Sequence, residues 1–175
     1  MNVSGGSFND YDDGAIVDGG SFRDEPASRL ELMRQFIAGY PYFNVLGSLS
    51  IDYTDQVPDM GGIFPQGLVE VSRTTDLLGN VTTTNQLNFA LYTVFEKAPG
   101  EDEGATLNAE WQMGFQEWVQ ERSVMGFAPT FGDVPAQEVI TAQDGQIYSA
   151  DAEGVAIYAI QISVTYIKKF RRRYG

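Results

Sequence analysis

The longest patterned stretch of the chain runs from Leu68 to Glu96, LVEVSRTTDLLGNVTTTNQLNFALYTVFE. Val69, Val71, Val81, Thr82, Thr83, Thr84, Phe89, Tyr92, Val94 and Phe95 are β-branched or aromatic, the types that fit a pleated surface. Gly79 and Asn80 can supply the positive φ of a tight turn. The pattern predicts a hairpin with strands at 68–75 and 81–96. On the second strand Leu87, Phe89, Leu91 and Phe95 share one face, and Ala90, Tyr92 and Val94 the other. Apolar residues on both faces predict a strand that is central in a sheet or covered twice. Thr82 to Asn88 is polar and is expected to project beyond the core as a ribbon.

The flanking segments complete the pattern. Leu30, Met33 and Ile37, with Leu32 and Phe36 alongside, predict a helix from Pro26 to Ala38, stopped by Gly39 and Pro41. Arg29 and Arg34 are expected to face solvent. Leu49 to Tyr53 alternates as a strand, and Pro58, Gly61, Gly62 and Pro65 mark a loop. A second helix is expected over Ala105 to Met125, with Leu107, Trp111, Phe115, Trp118, Val119 and Arg122 along one side and both tryptophans in the core. Glu138 to Gln143 and Gln146 to Ser149 flank Asp144-Gly145, a strong tight-turn signal, and predict a short hairpin. Val155 to Ile167 has the cleanest alternation in the chain, with Ala156, Tyr158, Ile160, Ile162, Val164 and Tyr166 pointing one way. The other side has no charge until Lys168, which suits packing against another subunit. The expected fold class is α+β, a mainly antiparallel sheet with a long hairpin and two helices on one face.

Residues 1–25 stand apart from this domain, which is expected to span 26–170 and to end in a basic tail, 171–175. They hold an echo, VSGGSFND at 3–10 and VDGGSFRD at 17–24. So glycine- and aspartate-rich a segment cannot bury a core of its own. It is either a solvated tail or an arm that orders on a neighbouring subunit, with Phe8, Tyr11 and Phe22 as anchors.

Composition narrows the chemistry. The chain of 175 residues has no cysteine and no histidine. Thiolate nucleophiles, Ser-His-Asp triads and Cys- or His-ligated metals are excluded. No phosphate-binding glycine loop occurs: Gly61-Gly62 is not followed by Lys-Ser or Lys-Thr. Asp52, Asp55 and Asp59 do not have the spacing of a calcium loop. The 24 acidic residues always offer carboxylate pairs, so a glycan-binding or hydrolytic module is a further class, without positive support. No enzyme activity, cofactor or metal is expected, and no apolar run approaches the ~20 residues of a membrane helix. Net charge is −13, unevenly spread: residues 1–167 hold 6 basic and 24 acidic groups, while Lys168, Lys169, Arg171, Arg172 and Arg173 cluster at the end. Such a body repels nucleic acid.

Six segments add a resemblance: Phe64 to Arg73 (FPQGLVEVSR) with Asp76 to Val81 (DLLGNV), Phe95 to Gly100 (FEKAPG), Asp102 to Gly104 (DEG) with Phe115 to Val119 (FQEWV), and Ala128 to Asp133 (APTFGD). Together they resemble small minor capsid or minor structural proteins of long-tailed phages, and the element order resembles the tail terminator fold. The resemblance covers about residues 28–169 and leaves out 1–25. It implies a structural virion protein, assembled in the host cytoplasm as a homo-hexameric ring. Such a ring caps the tail tube protein, halts its polymerisation and meets a head-completion or neck protein, with genomic DNA passing through the lumen without specific binding. A head-completion or neck connector and a tail tube subunit are the alternatives in the same setting. The hairpin tip, Asp76, Leu77, Leu78, Gly79 and Asn80, joins Phe8 and Phe22 as the expected subunit interface. A tip that folds back onto its own helix is the alternative.

Overall fold

The computed structural model describes residues 28–52, 58–96, 102–150 and 154–172. Helix α1 (Arg29–Ala38) leads through a 3-10 turn to strand β1 (Ser48–Ile51). The hairpin β2 (Met60–Thr75) and β3 (Val81–Glu96) follows, then helix α2 (Asp102–Val124), β4 (Val139–Ala150) and β5 (Val155–Phe170). The strands form one mixed sheet in the order β1-β2-β3-β5-β4, parallel between β1 and β2 and antiparallel elsewhere. The expected α+β class holds, with β3 central.

One face of the sheet is the core. Ile63, Leu91 and Ile160 are register partners across three strands, and all are fully buried. Phe89 pairs with Ile162, and Ile140 with Val164, in the same layer. Burying each such side chain contributes roughly 1.5–3 kcal/mol. Both helices cover this face. Met33 and Ile37 of α1 and Trp111, Phe115, Trp118 and Val119 of α2 belong to the same cluster. Tyr40 sits at the junction, its ring 5.5 Å from Trp111, 5.4 Å from Phe115 and 5.5 Å from Trp118. The indole of Trp111 donates to the Tyr42 carbonyl at 2.9 Å, which fixes it as a core side chain. The opposite sheet face has no charged side chain from Thr82 to Val94 of β3 or from Val155 to Ile167 of β5.

Several expected boundaries move. The α1 cap is Ser28, whose hydroxyl accepts from the Glu31 amide at 3.2 Å, so the helix begins at Arg29; Pro26 lies outside the described residues. Arg34 is exposed and pairs with Glu31 at 2.7 Å, while the exposed Arg29 has its guanidinium 5.9 Å from the Tyr166 ring centroid. Helix α2 starts at Asp102, because Asp102 and Glu103 suit the positive end of the helix dipole. Leu107 is 65% exposed and not part of the buried stripe, lying about two turns ahead of Phe115.

Two turn signals prove to be strand. The expected loop holds only at Pro58 and Asp59; from Met60 the chain is already β2, where Gly61 and Gly62 pair with Thr93 and Tyr92. A Cβ on Gly61 would stand 3.0 Å from Leu49 and 3.3 Å from Leu46, so the glycine makes room for the β1 side. The break comes at Pro65 and Gly67, where the register shifts and Gly67 takes φ +104°. Asp144-Gly145 does not turn the chain either. The register shifts between Gln143 and Gln146 with Asp144 at φ +72°, and β4 continues along β5 on both sides of the bulge. The expected short hairpin is therefore one bulged edge strand.

The outer half of the hairpin is not a free two-stranded ribbon. β5 runs beside β3 over its whole length, from Glu96↔Val155 to Val81↔Phe170. Thr83 and Asn85 are buried on the core face, and the Asn85 amide donates to the Thr83 hydroxyl at 3.1 Å. Among the described residues β2 is the open strand there: residues 65–75 are exposed throughout, and β1 pairs with no residue beyond Ile63.

The 131–133 loop is clamped to β5. The buried Glu138 carboxylate accepts from the Phe131 amide at 2.8 Å and the Gly132 amide at 2.7 Å. A Cβ at Gly132 would lie 2.3 Å from the Ile167 carbonyl oxygen, which is backbone and cannot turn aside. Gly132→Ala is expected to lower stability by about 3 kcal/mol, measured by urea denaturation, whereas an alanine that leaves the midpoint unchanged would show that the loop does not press on β5.

Candidate functional site

The hairpin turn is built by one carboxylate. Asp76 Oδ1 accepts from the Leu78 amide at 2.9 Å and the Asn80 amide at 2.8 Å, and its Oδ2 accepts from the Asn80 side-chain amide at 2.8 Å. The Asp76 amide donates to the Asn80 carbonyl at 3.0 Å, and Gly79 takes φ +79°. The Asn80 side-chain bond, followed by its backbone amide, holds the Asp76 carboxyl below its ordinary value. With the turn so fixed, Leu77 is fully exposed and Leu78 is 66% exposed. The five tip residues expected from the sequence are thus brought together. The tip does not bury its leucines on the chain's own helices. Phe8 and Phe22 lie outside the described residues.

Register adds residues that sequence reasoning missed. Phe170, 55% exposed, pairs with Val81 beside the turn. The Arg172 amide donates to the Asn80 side-chain oxygen at 3.1 Å, so the basic segment runs onto the hairpin end. Lys168 is partly neutralised by Asp133 at 3.4 Å. The Asp133 carboxyl is held below its ordinary value, first by the Lys169 amide, which it accepts at 2.8 Å, and also by the Lys168 charge. Lys169, Arg171 and Arg172 are exposed. One end of the sheet therefore presents three exposed apolar side chains next to three exposed cations.

The other end of β3 holds a cavity of about 710 Å³. Tyr40, Tyr42, Val45, Phe95, Leu107 and Trp111 form its apolar wall, and Asp59, Glu96 and Glu110 add carboxylates. Tyr42, Val45 and Leu107 are exposed at its mouth. Burial pushes the Tyr40 phenol above its ordinary value. The cavity draws on segments near 40, 59, 95 and 107, and no pattern in the sequence points to it.

Among the described residues no group of three or more aspartates and glutamates is placed to hold a metal ion, and no helix is long and apolar enough to cross a membrane. No protein-family model matches the chain, and no curated protein shows significant similarity to it. The arrangement offers surfaces that can bind, with the carboxylates of Asp76, Asp133 and Glu138 held by backbone amides.

Removing the Asp76 carboxylate should loosen the tip without unfolding the sheet. In Asp76→Ala the Leu78 and Asn80 amides are expected to exchange with deuterium faster, while amides of β5 keep their protection. A carboxyl whose folded pKa is lowered stabilises above its ordinary value and loses that contribution as pH falls through the lowered value. The wild-type tip should accordingly loosen on acidification below the ordinary aspartate range, and the alanine variant should show no such step.

Proposed function

We propose that the chain is a structural virion protein, a tail terminator that forms a ring on the end of the tail tube, stops its growth and joins the tail to the neck. The observation that carries this reading is the hairpin end, where Leu77 and Leu78 are held outward by a rigid turn at the limit of a three-stranded extension. Exposed adjacent leucines on an ordered tip mark a contact surface. The motif set resembling phage minor structural proteins spans this tip and the strand leading to it. The mixed sheet with helices on one face is compatible with that setting.

The charge distribution supports the same role. A wall that DNA passes must not hold phosphate. The sheet face away from the helices has no lysine or arginine from Thr82 to Val94 or from Val155 to Ile167, and the chain as a whole carries −13. Duplex DNA can slide past such a surface without sticking.

Electron microscopy of the purified full chain, alone and with tail tube protein, tests the reading. Single rings of six that sit on tube ends and stop elongation are the expected result. Stacked tubes from the chain alone would make it a tube subunit, and monomers that bind only the neck would make it a head-completion protein. Replacing Leu77 and Leu78 together with serine should abolish tube capping while the circular dichroism spectrum stays unchanged.

A further inference from the structure

The two ends of the sheet are complementary. Val81 and Glu96 terminate β3, so the tip and the aromatic cavity lie about 50 Å apart along one strand. The tip end exposes Leu77 and Phe170 with Lys169 and Arg171 beside them. Its carboxylate, Asp76, is turned into the loop amides. The cavity end offers an apolar interior with Asp59, Glu96 and Glu110 around it, and no cation among its described lining residues. In a chain of net charge −13, random approach of two copies is repulsive. This pairing brings the cationic end of one copy against the anionic end of the next.

We propose that the occupant of the cavity is the hairpin tip of a second copy of this chain, with Leu77 entering the space walled by Tyr42, Leu107 and Trp111, and with Lys169 and Arg171 facing Asp59, Glu96 and Glu110. The cavity volume, about 710 Å³, lies within the range of sites that enclose a compact group of side chains. The contact is heterologous, because tip and cavity are different surfaces. Each bound copy leaves one tip and one cavity unused, so the association propagates and closes into a ring if the rotation per copy allows. It supplies the subunit contact that the terminator reading requires, and it rests on that reading only for its biological setting.

Two variants at exposed positions separate the halves. Leu77→Asp destroys the tip and keeps the cavity; Leu107→Glu places a carboxylate at the cavity mouth and keeps the tip. Both residues are well exposed, so each variant should fold, which circular dichroism checks. In sedimentation velocity, wild-type protein is expected to self-associate at low salt, and each variant alone to associate at least about tenfold more weakly. An equimolar mixture should form a one-to-one complex and nothing larger, since the Leu107→Glu copy still offers a tip and the Leu77→Asp copy still offers a cavity. Raising the salt should weaken the complex, because the flanking charges are screened. Wild-type protein that stays monomeric at every concentration, association unchanged in both variants, or a mixture with no heterodimer would each overturn the proposal. Self-association with this pattern but no capping of tail tubes would leave the docking standing and remove the terminator role.

Discussion

The fold depends on β3 being paired along both edges in a fixed register. Ile63, Leu91 and Ile160 line up only in that register. Side chains alternate between faces, so a slip of one residue between β3 and β5 would turn Gln161, Ser163 and Thr165 toward the helices and Ile160, Ile162 and Val164 away from them. The same register sets the ends of the molecule. It places Phe170 against Val81 beside the turn and leaves Glu96 at the cavity. The surface chemistry at both ends is thus a consequence of how the core strands align.

Polar groups reinforce the alignment. Gln112 of α2 donates to the Thr93 hydroxyl at 2.8 Å, tying the long helix to the middle strand inside the core. On the open face Gln86, Asn88 and Ser163 bond one another, with Ser163 donating to Asn88 at 2.8 Å across the β3–β5 ladder. These three polar side chains satisfy one another without a charge among them. The charged residues lie largely elsewhere, in α2, in the turns and at the two ends of the sheet.

The sequence made the long elements legible, because burial imposes a period. The alternation of Ala156, Tyr158, Ile160, Ile162, Val164 and Tyr166 matches the buried positions of β5, and Met33 and Ile37 are the buried residues of α1. Glycine misled where its role was to admit a neighbour. Gly61 makes space for Leu49 and Leu46, and Gly145 follows a bulged aspartate with its Cβ position 3.3 Å from the Gln116 side chain. A local reading sees turn formers in both places, since the deciding contacts are tertiary. The tip was legible because Asp76 to Asn80 is a self-contained turn. The arrival of Phe170 and the basic segment was not, since it needs the pairing of strands far apart in the chain. The cavity was least legible, because four separate segments wall it.

The sheet order has a kinetic consequence. β5 is inserted between β3 and β4, and among the described residues β4 has no other strand neighbour. The β2–β3 hairpin can form locally, but the sheet cannot close until β5 reaches a partner from much earlier in the chain. Contacts of such long sequence separation slow folding, because loop entropy must be lost before they form. During that interval the inner edge of β3 is an unpaired template, open to the β5 of another chain as readily as to its own. Crowded synthesis of many copies therefore favours exchange of this strand, and the fully satisfied β3 edge of the finished domain is what ends that exposure.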